Sequence, residues 1–240
     1  MASEYLKWKY RDVRPEKQTS MTPRERRRNW WDYHKWHVAA GAVGLFVLVR
    51  IVLTMLGVGK AEPDYQIAYV GAYALPQSTA EAVEQAVAAM AEDCNGDGQV
   101  VVSLRQYATG SELQPEAAMA AITALVADIS ECESYIFLLE DPEDFQRDFQ
   151  LLAPLRGAPA PDGTDPWEDC CLSWSACPAL AGLDLGTYEE LAVDQTVTGR
   201  HQDLLAGLYL ARRGFWAEKN VAYPEASAQL WAALTQGAGA

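Results

Sequence analysis

Positive charge is what most of this chain lacks: beyond residue 61 it has seven Lys or Arg against twenty-eight Asp or Glu, a balance of -21. That shortage excludes a nucleic-acid partner, whose phosphates need Lys and Arg to neutralise them. Cations and basic partners suit such a surface better, although a solvated acidic face that keeps the protein soluble has the same composition. Histidine is scarcer still, with three in 240 residues and only His201 past residue 37. A zinc site or a Ser-His-Asp arrangement would rest on His201, in the polar stretch GRHQD, which reads as surface. No G-x-S-x-G, H-E-x-x-H or P-loop occurs, and the acid pairs Glu140-Asp141 and Glu189-Glu190 have no spacing that suits glycoside hydrolysis. The reading is therefore a protein that is not an enzyme and needs no cofactor.

The second shortage is local. Residues 38–59 (VAAGAVGLFVLVRIVLTMLGVG) contain one charge, Arg50, and no proline. As a helix this run would be about 33 Å long, enough to cross a hydrocarbon core of roughly 30 Å. It predicts one transmembrane helix, with membrane lipid as the first partner. Residues 1–61 carry twelve basic against five acidic side chains, or +7, which by the positive-inside rule puts the N-terminus in the cytoplasm and the remainder outside the cell membrane. Trp30, Trp31, Tyr33 and Trp36 look like an interfacial aromatic belt. The cluster from Arg24 to Arg28 is either a contact for anionic headgroups or only the topology signal. Arg50 costs about 2.5–3.5 kcal/mol at a helix centre, so it is either tolerated by a strongly apolar span or aimed at a carboxylate on a partner helix. A cleavable signal peptide is the alternative, with small residues Gly59 and Ala61 flanking Lys60, but secretory apolar cores run only about 7–15 residues. The expected plan is a basic cytoplasmic tail, 1–37, mostly disordered; the span, 38–59; a linker, 60–64; and an extracytoplasmic domain, 65–240.

Past the linker the pattern is regular. Residues 65–73 (YQIAYVGAY), 100–107 (VVVSLRQY) and 135–139 (YIFLL) read as strands. Between them lie helices, one opened by a Ser78/Glu81 capping box with Val83, Val87 and Met90 at helical spacing, the next by Pro115 with Met119, Ile122, Val126 and Ile129 lining one apolar face. Asp141-Pro142 starts a third, with Phe145, Phe149 and Leu152 as its apolar contacts. The alternation predicts an α/β fold of three layers, a largely parallel sheet with helices on both faces. The segment CCLSWSACPALAGLDLG at 170–186 has no assignable period, residues 204–216 fit a strand or a helix, and Pro224 to Leu234 reads as a closing helix with Leu230, Trp231 and Leu234 inward.

Candidate sites follow from that topology. Ligands in open α/β sheets bind outside the carboxyl ends of the strands, which nominates Tyr73, Tyr107, Thr109, Glu140 and Asp141 for a sugar, a peptide or a cationic solute. Asp93, Asn95 and Asp97 with Gly98 make the front half of a calcium loop, whose twelfth position is Leu104 rather than glutamate. A weak structural calcium site competes there with a polar turn in which the NGDG glycines supply positive φ. All five cysteines follow the span, where bridges are permitted. Cys94 and Cys132 are expected to pair, each lying between a helix and a strand. Adjacent Cys170 and Cys171 are too close to bridge one another, so one of them, taken as Cys171, is expected to pair with Cys177.

The run ALVADISECESYIFLLEDPEDFQRDFQLLAPL, 124–155, resembles the part of extracellular solute-binding proteins where a helix leads to a buried strand, an aspartate at its end and a helix closing on an apolar-Pro-apolar turn. The plan MTPRERRRNWWDYHKWH, then an anchor, then this domain is similar to uncharacterised membrane-anchored surface proteins of Gram-positive bacteria. The resemblance implies the first lobe of that fold and capture of a small solute of unknown identity. Two lobes need more chain than the 181 residues after Gly59, so delivery to transporter subunits does not follow from it. The other expectation is a structural or assembly protein of the envelope that docks partner subunits through Arg50 and the acidic surface.

Overall fold

The computed structural model describes residues 22–55, 62–110, 112–158, 160, 163–192, 195–214 and 219–238. The chain forms two compact units, Met1–Lys60 and Ala61–Ala240. In the first, helix α1 spans Pro23–Met55. It starts well before residue 38, because Thr22 and Glu25 make a capping box: the Glu25 carboxylate accepts the Thr22 backbone N–H at 2.9 Å and the Thr22 hydroxyl accepts the Glu25 N–H at 3.4 Å. Residues 23–37 are thus helical, not a disordered tail. Among the described residues α1 alone is long and apolar enough to cross a membrane, with mean hydropathy 1.6 over its most apolar 18 residues. It carries Trp30, Trp31, Trp36 and Arg50. The end of the expected span and the start of the linker, residues 56–61, lie outside the described residues.

The second unit begins as the pattern predicts: β1 Tyr65–Gly71, α2 Gln77–Ala88, β2 Val102–Ala108, α3 Pro115–Glu131, β3 Ile136–Leu139 and α4 Pro142–Phe149. Then come α5 Trp167–Cys170, β4 Cys171–Ser173, a 3-10 turn at Trp174–Ala176, α6 Pro178–Ala181, β5 Thr187–Ala192, β6 Gln195–Arg200, α7 His201–Leu205, β7 Tyr209–Arg212 and α8 Pro224–Leu234. The Ser78/Glu81 capping box does not form. Pro76 holds the cap position of α2 with no side-chain cap, and Glu81 instead accepts from Gln77 Nε2 at 3.0 Å.

Five strands form one mostly parallel sheet in the order β2-β1-β3-β7-β4. β1 pairs in parallel with β2 on one side and β3 on the other, while β7 runs antiparallel to both β3 and β4. Between β4 and β7 the chain makes the β5–β6 hairpin and the short α7, and β7 then enters the sheet between β3 and β4. β5 and β6 make a separate hairpin.

Strand side chains alternate between two apolar clusters, as a period of two requires. Ile67, Leu104, Ile136, Leu138, Leu172 and Leu210 pack with Val83 and Val87 of α2 and with Leu230, Trp231 and Leu234 of α8. Ala68, Tyr107, Phe137, Leu139, Cys171 and Ala211 pack with Leu125 of α3 and Phe145 of α4. The Cys171–Cys177 bridge is absent for this reason: Cys171 belongs to one cluster and Cys177 to the other, and both are free thiols. Cys94 and Cys132 are also free. The Cys94 thiol donates to the Tyr65 hydroxyl oxygen at 3.0 Å, and Cys132, in a left-handed cap at φ 56°, lies 3.7 Å from the Lys219 carbonyl.

α3 corrects another expectation. Its buried residues are Leu125 and Asp128, whereas Met119, Ile122 and Val126 face solvent. Asp128 is the polar tie that turns the helix: its carboxylate accepts from Tyr107 Oη at 2.7 Å, Gln66 Nε2 at 2.9 Å, the Ser134 hydroxyl at 2.6 Å and the Ser134 N–H at 3.0 Å.

Residues 93–98 fold as a turn closed by their own side chains. Asp93 accepts the N–H groups of Gly96 at 2.7 Å and Gly98 at 2.8 Å, Asn95 accepts that of Asp97 at 2.8 Å, and Asp97 that of Gln99 at 2.8 Å. Gly96 and Gly98 sit at φ 75° and 85°, the positive values such a turn demands. No group of three or more metal-ligating side chains is assembled among the described residues. Asp64, read from sequence as linker, is buried beneath this turn and accepts the N–H groups of Cys94, Asn95 and Val101 at 2.9, 3.0 and 2.8 Å. Burial alone would raise its pKa, but the amides of Val101, Cys94 and Asn95 together outweigh that and hold it below the ordinary 3.8. A depressed folded pKa means that the contribution is complete at neutral pH and is lost as pH falls through the depressed range. Asp64→Asn should cost about 1–3 kcal/mol at pH 7, since its NH2 would confront a backbone N–H, and should flatten the acid limb of a stability-pH profile. Urea midpoints of the two proteins between neutral and acid pH check both expectations.

Candidate ligand cleft

The strands end where the topology changes direction. From β1 the chain passes through α2, which packs in one apolar cluster, to β2 on one side; β3, on the other side of β1, leads into α4, which packs in the other cluster. Such a switch leaves a crevice outside the carboxyl ends of adjacent strands. A cleft of about 580 Å³ lies there, lined by Gly71 and Ala72 after β1, Thr109 and Gly110 after β2, Glu140 and Asp141 after β3, Ile122 and Leu125 of α3, and Asp144, Phe145, Asp148 and Phe149 of α4. The volume falls within the range of small-ligand sites.

Backbone bonds carry the sheet register onto its rim: Thr109 N–H donates to Gly71 O at 2.9 Å, Gly110 N–H to Ala72 O at 3.0 Å and Glu140 N–H to Val70 O at 3.0 Å. The Glu140 carboxylate reaches across the crevice and accepts the Ala72 N–H at 2.7 Å. Gly71 permits this approach, because a Cβ there would lie 2.7 Å from Glu140 Oε2. Asp141 caps α4, accepting the Asp144 N–H at 3.0 Å, and Pro142 opens the helix. Positions four apart on α4 share a face. Asp144 and Asp148 therefore stand together and both pair with Arg147, at 3.1 Å for Asp148, while the Phe145 and Phe149 rings are tilted by 42° with centroids 4.9 Å apart.

Of the five residues nominated from sequence, Thr109, Glu140 and Asp141 line the cleft, and Tyr73 and Tyr107 do not. Tyr107 points into the core and donates to Asp128, and burial, reinforced by that bond, pushes its pKa up. Tyr73 is exposed and contributes only its carbonyl, which accepts from Tyr69 Oη at 3.0 Å. Burial first, and the Glu140 charge second, push the Tyr69 pKa up to about 12, so it remains a donor at neutral pH. Gly110, Asp144, Asp148 and Phe149 were not named as site residues, although the repeat of acid and phenylalanine four apart in EDFQRDF was a usable signal.

His201 is not on the surface. It is buried, with Nδ1 2.8 Å from the Thr79 hydroxyl and its ring 5.8 Å from that of Tyr188. Thr79 has no exposed surface, so this contact offers no nucleophile to a substrate. Burial raises the pKa of Cys171 and Cys177, and it lifts that of Cys170 to about 12 with help from Asp165 and Asp169; these three are core thiols rather than thiolate nucleophiles. A second cavity of about 570 Å³ lies beside the edge strand β4, with Leu155, Asp169 and Ser173 in its walls. The cleft at the switch point is the stronger candidate because loops from three strands converge on it. Comparisons of the chain with protein families, with curated proteins and with solved structures found no match.

Proposed function

We propose that this chain is a single-pass membrane-anchored binding protein with its N-terminus in the cytoplasm and an extracytoplasmic α/β domain of three layers, similar to one lobe of a solute-binding protein. It captures a small solute, a sugar, peptide or cation, at the carboxyl ends of its strands. The observation that carries the reading is the cleft itself, which includes Thr109, Glu140 and Asp141 at the pole where α/β sheets take ligands. The layered arrangement is supported by the two apolar clusters that draw on alternate strand residues. The anchor is supported by the length and hydropathy of α1, and the orientation by the +7 and -21 balances on either side of residue 61. The reading assigns no catalytic residue, and any calcium at Asp93, Asn95 and Asp97 would be structural.

A second reading, an envelope assembly protein that docks partner subunits without a small ligand, has one observation in its favour: the solvent-facing Met119, Ile122 and Val126 on α3. A thermal-shift screen of the full chain in nanodiscs against sugars, amino acids, peptides and calcium separates the two. Capture of a solute predicts a concentration-dependent rise in melting temperature with at least one class at millimolar levels. No shift with any of them contradicts it.

A further inference from the structure

We infer that the cleft and the adjoining face of α3 form one docking surface for a basic amphipathic polypeptide segment. This rests on the ligand-pole reading above and narrows it to one class. Met119, Ile122 and Val126 are spaced three and four apart, so they stand on one face of α3, and they are 63, 39 and 46 % exposed. From Ala117 to Ala127 the helix has no charged residue. Ile122 also lines the cleft, so the apolar face continues into it toward Phe145 and Phe149. An apolar strip of this kind is covered by side chains recurring every three to four residues on a partner helix.

Charge selects the partner. Glu140, Asp141, Asp144 and Asp148 lie in the cleft wall, and among the described residues no Lys or Arg lines it. Arg147, paired with Asp144 and Asp148 from an exposed position, offsets one of those charges, and exposed pairs of this kind exchange readily for an incoming cation. An anionic lipid surface or a second copy of a domain whose balance is -21 is repelled at this rim, whereas a Lys- or Arg-bearing segment is attracted to it. Among the described residues a sugar would find few neutral hydrogen-bonding side chains here, with Thr109 the one hydroxyl lining the cleft.

The test uses the full chain in zwitterionic nanodiscs, with empty discs as the blank. The probes are a synthetic Leu/Lys amphipathic peptide and a Leu/Glu peptide of the same apolar pattern, read by calorimetry. The Leu/Lys peptide should bind about tenfold or more tighter than its acidic counterpart. Asp144→Asn with Asp148→Asn, and separately Met119→Ser with Val126→Ser, should each weaken it by about tenfold. All four side chains are on the surface, so folding should survive these changes. Asp184→Asn with Glu189→Gln, which remove two carboxylates outside the cleft, should change it by less than about twofold. An equal loss in that control pair would mean diffuse attraction and would overturn the proposal. Equal binding of the Leu/Glu peptide, or self-association abolished by Met119→Ser with Val126→Ser, would do the same. If a neutral solute stabilises the chain through the cleft and the Leu/Lys peptide does not bind, the ligand class is wrong and the ligand pole stands. If neither binds, both fall.

Discussion

Asp128→Ala should destabilise the second unit by about 3–5 kcal/mol, the range for removing one member of a buried charged network. The carboxylate is buried and takes four hydrogen bonds from three residues, Gln66 of β1, Tyr107 of β2 and Ser134 just before β3. It thereby fastens the end of α3 to all three parallel strands that carry the cleft. Alanine leaves the Tyr107 hydroxyl and the Ser134 N–H without these bonds in the interior. It also strips a favourable charge from Arg213, whose guanidinium is buried and whose pKa burial lowers against the attraction of Cys132 and Asp128. Tyr107→Phe removes one bond to a charged acceptor and should cost only about 1.5–3 kcal/mol. Urea unfolding of the chain in nanodiscs, followed by circular dichroism, measures both. A loss below about 1 kcal/mol for Asp128→Ala would mean that water or a rearranged Gln66 replaces the network.

Trp174→Ala carries the second large expectation, again about 3–5 kcal/mol, the usual range for emptying an aromatic site in a core. The segment around it forms the edge strand β4 and the turn after it. Trp174 N–H donates to Leu208 O at 2.8 Å, its indole Nε1–H donates to Gln202 Oε1 at 2.8 Å, and its ring is 2 % exposed among Leu180, Leu205 and Leu210. Within the segment 170–186, Cys171–Ser173 is therefore a strand of the sheet, and none of the segment's residues lines the cleft. Trp174→Phe, which keeps most of the volume and loses the indole bond, should recover more than half of the loss. If alanine were tolerated with under about 1 kcal/mol of change, the segment would be a surface loop and the fifth strand would be wrong.

These two side chains also mark where the sequence was opaque. The first six elements were legible because β-branched and aromatic runs alternate with helices whose starts carry proline at Pro115 and Pro142. α8 was legible from Pro224 and the 230, 231, 234 spacing. α3 was legible as a helix but not as a face. Its alanine-rich, nearly uncharged sequence has apolar residues all round, so periodicity pointed to Met119, Ile122 and Val126, while hydrogen bonding of Asp128 decided the rotation. β4 has three residues, too few to display a period. The Cys171–Cys177 pairing failed because Cys171, in β4, and Cys177, after the 3-10 turn, enter different apolar clusters, which is invisible until the strand is known.

At the site, the topological rule found Thr109, Glu140 and Asp141, since a residue following a strand end is located by connectivity alone. It misjudged Tyr107, still within β2, whose direction is set by strand parity and whose hydroxyl has an acceptor in the core. The acidic and phenylalanine faces of α4 needed only the four-residue spacing. What no pattern on one element could convey is that Ile122 of α3 and Phe149 of α4 converge on the same cleft.

Hydrogen exchange of the full chain in nanodiscs, with and without whichever probe raises its melting temperature, tests the central claim most directly. The account predicts slowed exchange at residues 71–72, 109–110 and 140–149, with the rest of the second unit unchanged beyond global stabilisation. Protection confined to the turn at 93–98 or to the β5–β6 hairpin, with those three segments unaffected, would contradict it.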